Sequence, residues 1–97
     1  MVSADLIILI YKEAKKLADK EISECHKRVV FSCVIAKNLI YYEVENNKRV
    51  IDKLWQLYIK PNQTNNNFVD TAIIEYNNNC NLDDGLCCKE NLTKIFC

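Results

Sequence analysis

Apolar residues recur at helical spacing through most of this chain. Over residues 4–26, Leu6, Ile10, Ala14, Leu17, Ala18, Ile22 and Cys25 share one stripe, with Lys12, Lys15, Lys16 and Lys20 outside it. Ser3 is placed to cap this helix, and Asp5 stands in its first turn, where free backbone N–H groups favour a carboxylate. The first turns break the stripe. Residues 6–11 read Leu-Ile-Ile-Leu-Ile-Tyr and are apolar on every face. A helix end with no polar side must be surrounded, either by the core or by a partner, and both readings are carried forward.

Residues 28–45 fit two templates. As a helix they are apolar nearly all round, with Ser32, Lys37, Asn38, Glu43 and Glu45 scattered among the apolar positions. As a hairpin turning at Lys37-Asn38, they would pair Ile35 with Ile40, Cys33 with Tyr42 and Phe31 with Val44 on one apolar face. The interspersed helix formers Ala36, Lys37, Leu39 and Glu43, and the weakness of Lys-Asn as a hairpin turn, favour the helix.

Residues 48–60 form an amphipathic helix on this reading. Asn46 or Asn47 caps it, Val50, Ile51, Leu54, Trp55, Leu57 and Tyr58 make one face, and Pro61 ends it. The stretch 61–67 (PNQTNNN) reads as an Asn-rich surface loop, 68–76 as a short helix, and 77–81 as a second turn. Asn81 can cap a last segment, with Asp83 and Asp84 in its first turn and Leu82, Leu86, Leu92, Ile95 and Phe96 at helical spacing; Gly85 weakens it. The predicted fold class is therefore mainly α. It is a single domain over 1–97, a compact bundle of four to five helices, with the Cys-rich tail 77–97 stapled to it. The alternative is α+β with a hairpin at 28–45.

Composition qualifies this picture. Asn (12), Lys (11), Ile (11) and Tyr (5) are abundant, whereas Gly and Pro occur once each. The enriched residues have A/T-rich codons, which points to an AT-rich genome such as a virus or a parasite. The scarcity of Gly and Pro is then partly mutational, and weaker evidence for helix than it first looks. The formal net charge is zero, from 13 basic and 13 acidic side chains, so no global field recruits nucleic acid or an anionic membrane. The apolar run at 6–11 is too short for the core of a signal peptide or for a membrane span. That leaves an intracellular product as a reading beside the extracellular one.

Six cysteines bear on that choice: Cys25, Cys33, Cys80, Cys87, Cys88 and Cys97. Such density in a small chain favours disulfides and hence a secreted, oxidising environment. On one helix, Cys25 and Cys33 lie roughly 12 Å apart along the axis, too far to bond each other but able to face one partner segment. Each is therefore expected to pair into the C-terminal cluster, in a connectivity that spacing alone does not select. Zinc is disfavoured because Cys80, Cys87, Cys88 and Cys97 lack the two-to-four-residue intervals of zinc ligands. No Cys-x-x-Cys motif supports redox catalysis.

The lone His26 beside Lys27 and Arg28 reads as a surface residue, and the acidic pairs Glu43/Glu45 and Asp83/Asp84 as solvated charge. The lysine flank of the first helix is offset by Glu13, Asp19, Glu21 and Glu24, so nucleic-acid binding is not expected. No catalytic residue, cofactor or metal is expected. The expected role is a non-enzymatic protein–protein interaction module, homodimerisation included. Its interface would comprise Leu6, Ile7, Ile10 and Tyr11 with Trp55 and Tyr58. The alternatives are a carrier for a small hydrophobic ligand, lined by Phe31, Tyr41, Tyr42, Trp55 and Phe96, and a reduced intracellular subunit of a larger assembly.

Overall fold

The computed structural model describes residues 4–44, 46–58, 67–80 and 86–97, and, within these, the side chains of all but Lys48, Tyr58, Asn67, Leu86 and Cys87. The described residues form five helices: α1 (Ala4–Ala18), α2 (Glu24–Tyr41), α3 (Lys48–Tyr58), α4 (Asn67–Asn78) and α5 (Leu86–Phe96). No strand occurs among the described residues, and 28–45 is helical as far as Tyr41 rather than a hairpin. The expected cap and acidic first turn at Asn81, Asp83 and Asp84 lie outside the described residues, as does the Asn-rich loop apart from Asn67, which opens α4.

One boundary differs from expectation. The stripe of 4–26 is not one helix, because α1 ends at Ala18 and α2 begins at Glu24. Two hydrogen bonds tighten the end of α1: Lys20 N–H donates to Leu17 O and Glu21 N–H to Ala18 O. Ser23 then caps α2 in extended geometry, its Oγ accepting from the His26 N–H at 3.0 Å. The His26 ring closes on the same hydroxyl through Nδ1. His26 is thus part of the cap, where the sequence read it only as a surface residue. Cys25 consequently belongs to α2, on the same helix as Cys33.

The C-terminus of α2 explains why the run stops at Tyr41. Glu43 takes the left-handed conformation at φ 59°, the position where glycine is usual. The Glu43 N–H donates to Ile40 O and the Val44 N–H to Leu39 O, satisfying two carbonyls at the helix end. Val44 completes the motif by packing against the core. Asn47 then caps α3, its Oδ1 accepting from the Val50 N–H.

Two connected sets of buried side chains fill the interior. Ile10, Ala14 and Ala18 of α1 meet Phe31, Ile35 and Leu39 of α2, Ile51 and Leu54 of α3 and Val69 of α4. On another face of α2, Val29, Cys33 and Ala36 meet Ala72 and Tyr76 of α4 and Cys88 and Leu92 of α5. Helices α2 and α4 contribute to both, and α2, which packs against α1, α4 and α5, is the central helix of the bundle. Its low amphipathicity in sequence has this cause: it is covered on more than one side. Ser32, the one fully buried polar side chain among the described residues, donates to Arg28 O at 2.7 Å, one turn back in its own helix.

An aromatic series crosses the whole bundle with one ring from each helix. Tyr11 packs edge-on to Phe31, Phe31 tilts against Trp55, Trp55 stacks on Phe68, and Phe68 stacks on Phe96 at 3.9 Å between centroids. Each such pair contributes about 0.5–1.5 kcal/mol beyond the area it buries.

Because Glu43 holds a conformation that costs a side-chain-bearing residue about 1 kcal/mol, Glu43→Gly should raise stability. An increase of about 0.5–1 kcal/mol by urea denaturation is expected; a loss would show that the Glu43 side chain supports the turn.

Candidate interaction face and cysteine pair

The apolar first turns of α1 divide between core and solvent. Ile10 is buried, and Leu6, Ile7 and Tyr11 pack half-buried against the same cluster. Ile8 and Leu9 point the other way and are 49% and 57% exposed. Helical geometry accounts for the split, since positions 8 and 9 fall about 200° and 100° behind position 10. The residues expected from sequence to form an interface are divided in the same way. Ile10 and Trp55 are core residues, Leu6, Ile7 and Tyr11 are their half-covered neighbours, and the side chain of Tyr58 lies outside the described residues. The open face consists instead of Ile8 and Leu9. The Tyr11 hydroxyl reaches across to α3 and donates to Leu57 O at 3.4 Å, and the Leu57 side chain is itself 51% exposed.

The carrier lining expected from sequence is dispersed as well. Phe31 and Trp55 are buried against each other, Phe96 stacks on Phe68, and Tyr41 and Tyr42 are exposed and packed edge-on to one another. Concavities lie elsewhere, among them a wide one of about 770 Å³ lined by Ile22, His26, Glu90 and Lys94. A cleft of about 340 Å³ opens between α1, α2, α4 and α5. Leu17, Val30 and Val34 form its apolar walls, with Cys33 and Tyr76 at its base. Glu13, Lys20, Glu21, Lys37 and Lys89 surround the opening, and Lys89 is engaged in an ion pair with Glu21. That pair is part-exposed and contributes at most about 1 kcal/mol.

The cysteines are organised by α2. Cys25, in its first turn, is bonded to Cys97 beyond the end of α5, with the alpha carbons 6.1 Å apart. Cys33, two turns further along α2, has its Sγ 2.6 Å from the Sγ of Cys88, and both residues are buried thiols. Both cysteines of α2 therefore face the C-terminal segment and neither touches the other. Cys80 is disulfide-bonded too, and the side chain of Cys87 lies outside the described residues. From sequence, two of the C-terminal cysteines are expected to bond Cys25 and Cys33 and the other two to bond each other or stay free; here Cys33 and Cys88 are free and buried. These two serve as small apolar core residues, packed among Val29, Ala36, Tyr76 and Leu92. The hydrogen bond to Cys88, and then burial, push the Cys33 thiol well above the ordinary cysteine range, so it is held neutral.

Of the two glycosylation motifs in the sequence, the one at Asn91 is occupied by the fold. The Asn91 amide donates to Glu75 Oε2 at 3.1 Å, tying α5 to α4, and its residue is part-buried. The sequon at Asn62 lies outside the described residues. Among the described residues, no group of three or more His, Cys, Asp or Glu side chains is placed to hold a metal ion, and no helix is long and apolar enough to cross a membrane.

The fold and these sites define a small disulfide-tied five-helix bundle. No protein-family model matches the chain, and no curated protein or solved structure is detectably similar to it.

The two sides of α1 should respond differently to truncation. Ile10→Ala should cost about 2–5 kcal/mol of unfolding free energy. Ile8→Ala and Leu9→Ala should each stay within about 0.5 kcal/mol in the monomer. Denaturation curves on dilute protein decide it, and equal losses at all three positions would show that positions 8 and 9 are covered within the chain.

Proposed function

We propose that this chain is a non-enzymatic protein-interaction module that works through the outer face of α1, with a second copy of itself as the first partner. The observation that carries this reading is the placement of Ile8 and Leu9 in solvent on a helix end whose other sides are already committed to the core. Half-exposed aliphatic side chains adjoining Tyr11, with Leu57 nearby on α3, are suited to being covered by another apolar surface. Two copies related by a two-fold axis could lay one α1 along the other, so that each Ile8 and Leu9 meets the equivalent residues. A stable pair of this kind buries about 800 Å² on each copy, which requires the flanks of α1 and the α3 edge to take part as well.

Size-exclusion chromatography with light scattering tests it. Wild-type protein should show concentration-dependent dimerisation, and Ile8→Lys with Leu9→Lys should abolish it while leaving the far-UV dichroism spectrum unchanged. A strict monomer at every concentration would sink self-association.

A second reading draws on the cleft. Its volume falls at the lower end of the range that holds small molecules, its walls are apolar, and lysines stand at its opening. These features fit a small anionic amphiphile and thus a carrier role. A naphthalene-sulfonate dye should then bind with one-to-one stoichiometry and be displaced by a short-chain fatty acid. Val34→Lys should remove that binding, and an unchanged signal in this variant would dismiss the carrier reading. The third alternative, a reduced intracellular subunit, is the least favoured, since a bond such as Cys25–Cys97 belongs to an oxidising compartment.

A further inference from the structure

We propose that Cys33 and Cys88 are a disulfide-forming site, oxidised by a small organic disulfide that enters through the cleft, and that the bond they make is a second covalent tie between α2 and α5. Three observations converge on this pair. The two sulfurs are in direct contact, on helices that face one another through a shared buried cluster. Cys25–Cys97 already ties the same α2 to the residue following α5, which fixes the register of the facing helices. Cys33 also lines the cleft and is 3% exposed, whereas Cys88 is fully buried and does not line it, so a molecule in the cleft meets Cys33 first.

The chemistry follows from that asymmetry. Cys33 loses its proton to solvent base, and its thiolate attacks one sulfur of the incoming disulfide. A mixed disulfide forms on Cys33 and one small thiolate leaves. Cys88, in contact with Cys33, then loses its proton and attacks the Cys33 sulfur, closing the Cys33–Cys88 bond and expelling the second small thiolate. The protein loses two protons and two electrons, and the small disulfide takes them up to become two thiols. The neutral, buried state of Cys33 makes the first step slow, so the dithiol persists until an oxidant of this class is supplied.

The consequence is mechanical. With one tie, reduction of Cys25–Cys97 frees the C-terminal end of α5. With two, α5 stays held near its start after that bond is cut. The second bond closes only the short ring made by residues 25–33 and 88–97, so it stabilises less than the first did. The proposal does not depend on the interaction reading of α1.

The test is a disulfide map. Full-length protein is incubated with glutathione disulfide, denatured in alkylating agent and digested without reductant. The expected result is a single linked pair of peptides carrying Cys33 and Cys88, with Cys25–Cys97 intact and the melting temperature raised by roughly 10 °C. Recovery of both residues as alkylated thiols, or bonding of either one to a different cysteine, would overturn the proposal. In Cys88→Ala the second step is blocked, so Cys33 should accumulate the glutathione adduct and no rise in melting temperature should follow. A folded Cys88→Ala protein that takes up no adduct would overturn entry at Cys33. Should that variant fail to fold, the wild-type map decides alone.

Discussion

The bundle depends on the coverage of α2 by all of its neighbours at once. Phe31 makes the constraint concrete: fully buried in mid-helix, it holds Tyr11 on one side and Trp55 on the other. The series continues through Phe68 to Phe96, so that each helix is linked through a ring to the next. Aromatic contacts suit this task because one ring presents a large area in a stiff, two-torsion side chain. The helices they join are short, 11 or 12 residues in α3, α4 and α5, a length at which an isolated helix is marginal in water. These helices therefore exist because they are packed. Removing an inner ring of the series would affect two neighbouring contacts at once.

Helix α5 shows why packing alone is supplemented. It contributes Cys88, Leu92 and Phe96 to the interior, while Ile95 is left 56% exposed. Among the described residues its polar links include the Asn91–Glu75 hydrogen bond to α4 and the part-exposed Lys89–Glu21 pair, both individually modest. The Cys25–Cys97 bond spans a sequence separation of 72, and in the chain-entropy model such a closure contributes about 4 kcal/mol. That exceeds either of these two polar links taken singly. The tail is thus held by a covalent tie at its end, with a buried thiol pair nearer its start.

Much of this arrangement was legible in the sequence, and the parts that were not have identifiable causes. The helical period and the twelve-Ångström argument for Cys25 and Cys33 needed only local geometry, and they oriented both cysteines toward the tail. The boundary at 19–23 was missed because the apolar stripe runs on through Ile22, which is 98% exposed. Periodicity does not distinguish an exposed isoleucine from a buried one, and the useful signal was Ser23 ahead of Glu24 as a cap. The stop at Tyr41 was hidden for another reason: Glu43 occupies a left-handed position that composition assigns to glycine or asparagine. Which residues of 6–11 stay exposed was not legible, because an all-apolar run carries no internal marker of which side meets the core. Only the packing of Ile10 against its neighbours on other helices orients it. Which cysteines bond and which merely touch is likewise a tertiary property.

The same tertiary arrangement keeps the two candidate sites apart. Helix α1 returns along α2 through a short turn, so its first residues lie toward the C-terminal end of α2, close to where Val44 folds onto the core. Cys25 stands at the opposite end, and the length of α2 between them is roughly 27 Å at 1.5 Å per residue. Cys33 lies between, and its facing partner belongs to α5 rather than to α1. The thiol chemistry thus acts on the contact between α2 and α5, whereas Ile8 and Leu9 depend on the contact of α1 with α2 and α3. A change in oxidation state at the tail alters how firmly α5 is held without altering the groups that α1 presents. A direct route between the two is the cleft that Leu17 of α1 shares with Cys33 and Lys89, with its Glu21–Lys89 pair; another runs through the rings of Phe31, Trp55 and Phe68. Those rings are packed from both sides, and a densely packed series of this kind resists small displacements.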